Sequence, residues 1–539
     1  MQWILLVTLL APFAVGLWAL GPGRRATSRV HGSIASTGSG VSLVGAVVLG
    51  VLVALGRRPA LGGGSAPWFR VDPLTALLFG VVGILGVTIQ SYAGRNLDGD
   101  PRVRWWFTGA SMVVAGSLSL AAAGRCSVLL AGWLVTSGGA LVLLGYRANP
   151  QSRAAARQAA VVLVVGDLCL VAALALVMGT VGDVGVARIG TVARVLSHHR
   201  TGPFGTGDVV AVLLAVAAMA RASQWPLPNW LPGTVSAPTP VSALLHAGVV
   251  NAGAVVLVRF GAVLALAWPA NVLIAVGAVV TILRSAGSLH YRTDVKGSLA
   301  ASTSAQMGFM LLACAAGAPA VALTHLVGHA LYKSARFLGA GDTTRVEAAW
   351  RRYRPRGRVP SDVLRVALAC VATGALGLWW TGIGAVPVYS ADWWFMAAVA
   401  GTITVQGCWT WLSGPVGSPA WSLAFGGAVL AVGGLYLAVA DGLHRALATV
   451  LVSSGPGFVS APLVLAALGC AIGGAWLALQ HRGVGPRLTA RLAAVSLPPP
   501  APAPAVRLGD NEVPSSVPLA LRELEMAGQS PAYAVRSGR

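Results

Sequence analysis

Residues 221–253 read RASQWPLPNWLPGTVSAPTPVSALLHAGVVNAG, and this stretch decides the fold. One apolar segment ends at its start, and a second begins inside it. Five prolines stand between the two, at positions 226, 228, 232, 238 and 240. Because proline lacks a backbone N–H and fits best in the first turn of a helix, the prolines end one helix and start the next. Irregular backbone at membrane depth is tolerated where it lines a polar cavity, so we expect a cavity beside His246.

The composition places these segments in a membrane. Hydrophobic residues make up 56% of the 539 residues, charged residues only 10%, and the mean hydropathy is +0.74. Soluble domains carry about 25% charged residues, so soluble enzymes, disordered proteins and fibrous proteins are excluded. We predict an all-α polytopic transmembrane bundle of about 13–16 helices in the cell membrane. The predicted spans are 3–20, 38–56, 72–92, 105–123, 126–146, 158–180, 207–224, 239–265, 270–288, 298–317, 319–340, 362–383, 393–412, 421–440 and 459–480.

The net charge of +22 comes almost entirely from arginine, because Lys296 and Lys333 are the only lysines among 38 basic residues. The arginines lie between the apolar segments instead of forming one block. This distribution indicates that they set the membrane topology and contact lipid, and it disfavours nucleic-acid binding. Their bias is strongest in the connections that face the cytoplasm if the N-terminus lies outside. The most basic stretch, 345–361, is predicted to be a cytoplasmic anchor, with a docking surface for a partner as the alternative. Residues 483–539 are rich in proline, and we expect a largely disordered tail.

Ionisable residues inside membrane helices are costly and therefore candidates for function. The clearest group is His325, His329 and Lys333 in THLVGHALYKSARFL. Their i, i+4, i+8 spacing places them within about 80° of one another on a single helix face. Imidazoles that titrate near neutrality, stacked with an amine, make a proton relay. Structural hydrogen bonding and metal binding by the two histidines are the alternatives.

Three further candidates stand outside this group. Lys296 begins an apolar span, and a lysine can release its proton whereas an arginine cannot. His246 follows the proline-rich break, where a purely structural role is an equal alternative. Asp167, in VVGDLCLV, is the deepest of the isolated acids. The six cysteines are scattered singly without CxxC or zinc spacing, so we expect no metal, cofactor, disulfide or iron–sulfur cluster in this chain.

Several motifs resemble a known superfamily. QWPLPNWLP, APTPVSALLHAG, DVKGSLAASTSAQMGFM and HLVGHALYKSARFL look like the antiporter-like subunits of respiratory complex I (the NuoL type) and of Mrp sodium/proton antiporters. The likeness covers roughly residues 70–340. It implies broken helices, inverted repeats and proton translocation. The domain prediction is N-terminal helices in 1–69, an antiporter-like core in 70–340, C-terminal helices after a basic loop in 341–482, and the tail in 483–539.

Finer features, including LLHAGVVNAGAVVLVRF and NLDGDPRVRWWF, resemble the DabB family, the membrane subunits of a two-component inorganic carbon pump. The resemblance implies a cytoplasmic partner, DabA, that is peripheral, zinc-dependent and similar to a β-carbonic anhydrase. The family's proton-path positions carry over to Arg221, His246, Lys296, His325, His329 and Lys333.

Two departures from the complex I pattern stand out. The glutamate that pairs with the broken-helix lysine is Leu134 here, and the lysine itself is Arg221. Asp167 is the candidate to replace the acid or to pair with Arg221. We therefore expect a non-enzymatic transport subunit that conducts protons, or another cation, to drive carbon uptake. The alternatives are a NuoL-like subunit of a respiratory or hydrogenase complex, and a cation/proton antiporter.

Overall fold

The computed structural model describes residues 1–340, except 64–65, 147–149, 202–203, 228–229 and 290–293, together with 434–435, 438–439 and 441–447. Within residues 1–340 the structure has fourteen α-helices. They are α1 (Gln2–Leu20), α2 (Ser28–Ala54), α3 (Pro73–Asn96), α4 (Val103–Ala121), α5 (Cys126–Gly145), α6 (Pro150–Val181), α7 (Ile189–His198), α8 (Thr206–Arg221), α9 (Thr239–Ala247), α10 (Ala252–Arg259), α11 (Gly261–Leu264), α12 (Trp268–Leu289), α13 (Val295–Ala315) and α14 (Pro319–Leu338). The predicted all-α membrane fold is thereby confirmed.

Two small hairpins lie between helices. Strand β1 (Ala60–Leu61) pairs antiparallel with β2 (Phe69–Arg70), and β3 (Arg200–Thr201) pairs antiparallel with β4 (Phe204–Gly205). Short 3₁₀ turns cover Pro22–Arg25, Val186–Arg188, Leu231–Ser236 and Val249–Asn251. None of these connections is long enough to cross a bilayer.

Eight segments in the described part of the chain are long and apolar enough to span a membrane, and one of them is the broken segment Thr239–Arg259. Helices α4, α8 and α14, which the sequence also predicted as spans, are present as helices without meeting the same length and hydropathy limits. Helix α8 has only 16 residues, and α14 carries the two histidines and the lysine. The predicted spans 362–383, 393–412 and 459–480, most of 421–440, the basic stretch 345–361 and the tail lie outside the described residues.

Close helix pairing builds the first part of the bundle. Helices α2 and α3 lie against each other, as do α4 and α5, α6 and α8, and α12 and α13. A Cβ added at Gly32 in α2 would lie 2.6 Å from the Cα of Gly94 in α3. Such contact between backbones is how membrane helices gain packing energy without a hydrophobic driving force.

The span predicted over 239–265 is a broken helix in the structure. Helix α9 ends at Ala247, a 3₁₀ turn follows, and α10 begins at Ala252. The amide of Asn251 donates to the carbonyl of Ala247 at 2.7 Å, which satisfies an oxygen that the break leaves without its helical partner. The break lets buried polar groups of this segment face the neighbouring helices.

Other boundaries also differ from prediction. Helix α8 ends at Arg221 and not at 224, because Ser223 takes a positive φ of 57° and Pro226 cannot continue the helix. Helix α2 begins ten residues earlier than predicted, at Ser28, where the side chain of Thr27 accepts a hydrogen bond from the amide of Val30.

Candidate functional site

Lys333 lies buried between α14 and α13. Its side chain is 1% exposed, and its Nζ donates to the hydroxyl of Ser302 at 2.5 Å and to the carbonyl of Leu299 at 3.2 Å. Among the described residues no carboxylate lies within 4 Å of this amine. The amine therefore rests on neutral oxygens, which can hold it with or without its third proton.

His329, one turn before Lys333, connects three helices. One ring nitrogen, Nδ1, lies 3.1 Å from Oε1 of Gln306 in α13, and the other, Nε2, lies 3.0 Å from the carbonyl oxygen of His246 at the end of α9. The ring is 4% exposed. With an acceptor at each nitrogen, the site can also hold a doubly protonated imidazolium. His329 is therefore placed to take up and release a proton, and the ring nitrogen that loses its proton also loses its hydrogen bond to the oxygen that it faces.

His246 is fully buried and stacks on Phe337 of α14, with ring centroids 4.5 Å apart. Its Nε2 lies 3.5 Å from the hydroxyl of Thr234 in the proline-rich segment, and its Nδ1 has no hydrogen-bond partner within the described residues. Buried polar atoms without a partner are rare and often mark a water or a functional site. The polar cavity expected beside His246 stays a prediction.

His325 stands at the far end of the α14 group. Its ring is stacked on that of His329 with centroids 5.8 Å apart, and it is tilted against Phe309 of α13 at 4.9 Å. The side chain is partly exposed, and in the described chain its Nε2 lacks a hydrogen-bond partner. The predicted single face of His325, His329 and Lys333 is therefore present, with its two inner members buried.

Lys296 lies at the start of α13, half-buried. Asp294 caps this helix by accepting from the amide of Gly297 at 2.6 Å. The Nζ of Lys296 donates to the carbonyl of Ala237 at 3.1 Å, just before α9 begins. Titratable side chains thus contact both the proline-rich segment and the end of α9: Lys296 at Ala237, and His329 at His246.

Arg221 forms a second buried group with Asp167. Its guanidinium, 1% exposed, has Nη2 3.4 Å from Oδ1 of Asp167 and 2.7 Å from the hydroxyl of Ser137, and it lies 3.9 Å over the ring of Trp133. Asp167 accepts from the indole N–H of Trp133 at 2.6 Å and from Ser137 at 2.8 Å. The structure therefore pairs Arg221 with Asp167, one of the two arrangements that the sequence left open.

Leu134 points away from this pair. Its side chain is 41% exposed, whereas Trp133 beside it and Ser137 one turn later face Arg221. Sequence reasoning missed Trp133, Ser137, Ser302 and Gln306. The i, i+4 spacing of Trp133 and Ser137 was the available signal for the first two, and nothing in the spacing of Ser302 and Gln306 marks them.

Metal binding by His325 and His329, the alternative left open by the sequence, would need further ligands. In the residues that the structure covers, no group of three or more histidine, cysteine, aspartate or glutamate side chains could hold a metal ion. The buried residues instead form a set of amines, imidazoles and hydrogen-bond acceptors shared by α9, α13 and α14. This is the site of a polytopic membrane subunit of the antiporter-like class.

Comparisons with known proteins agree with this class. The sequence profile of the NADH:quinone oxidoreductase/Mrp antiporter transmembrane family matches residues 126–378. The chain is 31% identical over 392 residues to a probable inorganic carbon transporter subunit, DabB1, of Halothiobacillus neapolitanus, covering 71% of this chain and 68% of the relative. It is 32% identical over 416 residues to the corresponding DabB of Hydrogenovibrio crunogenus, covering 75% of this chain and 76% of the relative.

A solved structure, the Mrp complex from Dietzia sp. DQ12-45-1b, shares the fold with a TM-score of 0.55 and 24% identity, covering 97% of this chain and 54% of that one. The chain belongs to the DabB family of subunits within the NADH:quinone oxidoreductase/Mrp antiporter superfamily.

Proposed function

We propose that this chain is the membrane subunit of an energy-coupled inorganic carbon pump and conducts protons along Lys296, His246, Lys333, His329 and His325. The DabB relatives are described as inorganic carbon transporter subunits, and this supports carbon as the cargo. The proton path is supported by the interior of the bundle itself. The chain in this proposal has no catalytic residue and no cofactor of its own.

One observation carries the proposal: His329 and Lys333 are buried one turn apart, and each is hydrogen-bonded to an oxygen of another helix. His329 reaches the carbonyl of His246 at 3.0 Å, and Lys333 reaches the hydroxyl of Ser302 at 2.5 Å. Burying an amine and two imidazoles in a membrane bundle is costly, and apolar side chains would pack there at lower cost. Proton exchange is the property that these residues add.

The proposed partner is a DabA-like peripheral protein on the cytoplasmic side that holds zinc and hydrates CO₂. Proton movement through the membrane chain would change the charge next to the proline-rich segment and α9, and this change would be passed to the partner. A direct test is affinity purification of the chain from native membranes, with zinc measured in what co-purifies. Recovery of a large zinc protein in constant ratio supports the coupling. Recovery of quinone-binding and iron–sulfur subunits would replace this proposal with a redox-driven pump.

The geometry around Arg221 disfavours the redox-driven pump of the NuoL type. That mechanism needs a glutamate and a lysine that exchange a proton, and this chain has Leu134 and Arg221 at the two positions. Arginine stays charged in proteins, and Leu134 has no proton to give. Asp167 can balance the charge of Arg221, but the pair cannot act as the same switch.

Proton conduction is tested in proteoliposomes that contain the purified chain and a pH-sensitive dye. Lys333→Ala is expected to abolish most of the flux driven by a pH gradient, because it removes the buried amine. Tyr332→Ala is the matched control, since Tyr332 is the neighbour on α14 and is 55% exposed. Flux through Lys333→Ala equal to that of the control would refute the relay.

A further inference from the structure

A cavity of about 70 Å³ lies at the membrane face where α3 begins and where α4 and α10 end. Three arginines and one aspartate line it: Arg70, Arg188, Arg259 and Asp72. Such a volume has room for a few water molecules or one small polyatomic ion. None of these residues belongs to the proton path.

The rim of the cavity is built by backbone hydrogen bonds between three loops. The amide of Gly124 donates to the carbonyl of Trp68 at 2.8 Å, and the amide of Val186 donates to the carbonyl of Gly124 at 2.9 Å. A Cβ at Gly124 would lie 2.2 Å from the carbonyl oxygen of Pro67, so no larger residue fits there. The loops therefore form a fixed frame that holds the arginines around the space.

Asp72 neutralises one of the three arginines. Both of its carboxylate oxygens contact the guanidinium of Arg259, and Oδ1 also accepts from the amide and hydroxyl of Thr75. Arg70 is more distant, with Nη2 3.8 Å from Oδ2 of Asp72. Arg188 has no carboxylate within 4 Å in the described part of the chain. The lining therefore carries two positive charges in excess.

The charge excess also acts on Arg70 itself. Burial lowers the pKa of Arg70, the carboxylate of Asp72 raises it, and the charges of Arg259 and Arg58 lower it further, for a net lowering. A bound anion would stabilise the charged guanidinium. Planar guanidinium groups suit oxyanions in particular because they can donate two parallel hydrogen bonds.

The cavity lies at the opposite membrane face from Lys296. Lys296 contacts Ala237, next to the start of the Thr239–Arg259 span, and Arg259 ends that span. This 21-residue segment has the length and composition of one membrane span, so its two ends lie at opposite faces. With the orientation that the arginine bias predicts, the cavity opens on the outer face.

We propose that this cavity is an anion site that binds a small, singly charged oxyanion, bicarbonate, between Arg70 and Arg188 at the outer face. Anion binding follows from the cavity and its charge alone. The choice of bicarbonate rests on the proposed function, because an inorganic carbon pump would meet this anion outside the cell. The same guanidinium groups could hold a lipid phosphate, so the test separates the two sources.

The test measures thermal unfolding of the full chain in detergent during titration with sodium bicarbonate, against sodium chloride at equal ionic strength. We expect a saturable rise of the melting temperature with bicarbonate and none with chloride. Arg188→Gln and Arg70→Gln should each weaken the apparent affinity about tenfold, and Arg188→Lys should fall between them and the native chain. Arg194→Gln is the control, because Arg194 is an exposed arginine on α7 outside the cavity lining.

Three results would overturn the proposal. They are no saturable bicarbonate effect, an equal effect of chloride, and an unchanged affinity in both Arg188→Gln and Arg70→Gln. A parallel titration adds short-chain phosphatidylglycerol. If the lipid abolishes the bicarbonate effect, the cavity is assigned to a lipid headgroup, and the proposal is overturned as well. The melting assay needs no proton gradient, so its result is independent of the Lys333→Ala flux test. If Lys333→Ala conducts normally, bicarbonate binding is still tested by the melting assay. If bicarbonate has no effect on melting, proton conduction is still tested by the flux assay.

Discussion

Replacing Asp167 by asparagine isolates the charge of the Arg221–Asp167 pair. The amide oxygen of asparagine can still accept from the indole of Trp133 and the hydroxyl of Ser137, at the present 2.6 and 2.8 Å. The substitution removes the negative charge beside the guanidinium of Arg221, which is 1% exposed. Removing one partner of a buried ion pair costs about 3–5 kcal/mol. Because the Asp167 side chain is 14% exposed, we expect the lower end, about 3 kcal/mol.

The double variant Asp167→Asn/Arg221→Met makes the prediction specific to charge. Without either ion, the site becomes an apolar contact over Trp133, and such replacements are often neutral. We expect the double variant to be at least about 2 kcal/mol more stable than Asp167→Asn alone. A control is Asp208→Asn, which removes an acid from the first turn of α8 and should cost less than about 1 kcal/mol.

The free energy of unfolding is measured by denaturing-detergent titration in mixed micelles, followed by tryptophan fluorescence. A cost of Asp167→Asn no larger than that of the control would refute the reasoning. So would a double variant that is no more stable than the single one, because the loss would then come from shape and not from an unpaired charge.

The remaining predictions concern three other residues. Lys333→Arg should destabilise the fold by about 1–3 kcal/mol, because the larger guanidinium must pack into a buried site, and it should lose proton flux, because arginine holds its proton. Flux equal to that of the native chain would contradict this. Burial raises the pKa of Asp72, but the charge and hydrogen bonds of Arg259 and the hydrogen bonds from Thr75 outweigh burial and lower the pKa below its ordinary 3.8. Asp72 therefore stabilises the fold above that pH, and this stabilisation is lost as the pH falls through the lowered pKa. Asp72→Asn should lack this acid-dependent loss in a pH series of unfolding measurements. Gly124→Ala should destabilise the fold by about 1–3 kcal/mol, because its Cβ would meet the oxygen of Pro67; a melting temperature within error of the native value would show that the loop yields instead.

Hydropathy predicted the strongly apolar helices well and failed where polar residues are packed inside the bundle. Helix α5 was predicted over 126–146 and is Cys126–Gly145. The start of α2 was missed because Ser28 and His31 lower the local hydropathy. His31 is in fact 1% exposed and stacked on Phe107, with ring centroids 5.5 Å apart. A hydropathy profile measures how well a segment suits contact with lipid. It does not detect a polar side chain that faces another helix inside the bundle.

The sequence predicted the part of the candidate site that lies on one helix, α14. The spacing of His325, His329 and Lys333 fixes their common face, because helical geometry alone determines it. The oxygens that they contact come from α9 and α13, and no periodicity connects Ser302 or the carbonyl of His246 to α14. The geometry between helices therefore had to come from the folded chain, and the roles of these residues are for the flux measurements to test.

Under the proposed function, Arg221 in place of the lysine of the complex I pattern moves the proton switch away from the end of α8. Arg221 keeps its charge, and Asp167 lies beside it to balance that charge, so this pair holds the helix end in one electrostatic state. The titratable groups that remain contact one short segment of the chain. Lys296 donates to Ala237 at its middle, Thr234 lies 3.5 Å from His246, and His329 lies 3.0 Å from the carbonyl of His246 at its end. Under the proposed function, a change of charge on Lys296 or His329 would alter a hydrogen bond that holds this segment. Under the proposed function, the segment between Thr234 and α9 is therefore where we expect protonation to act on the shape of the protein.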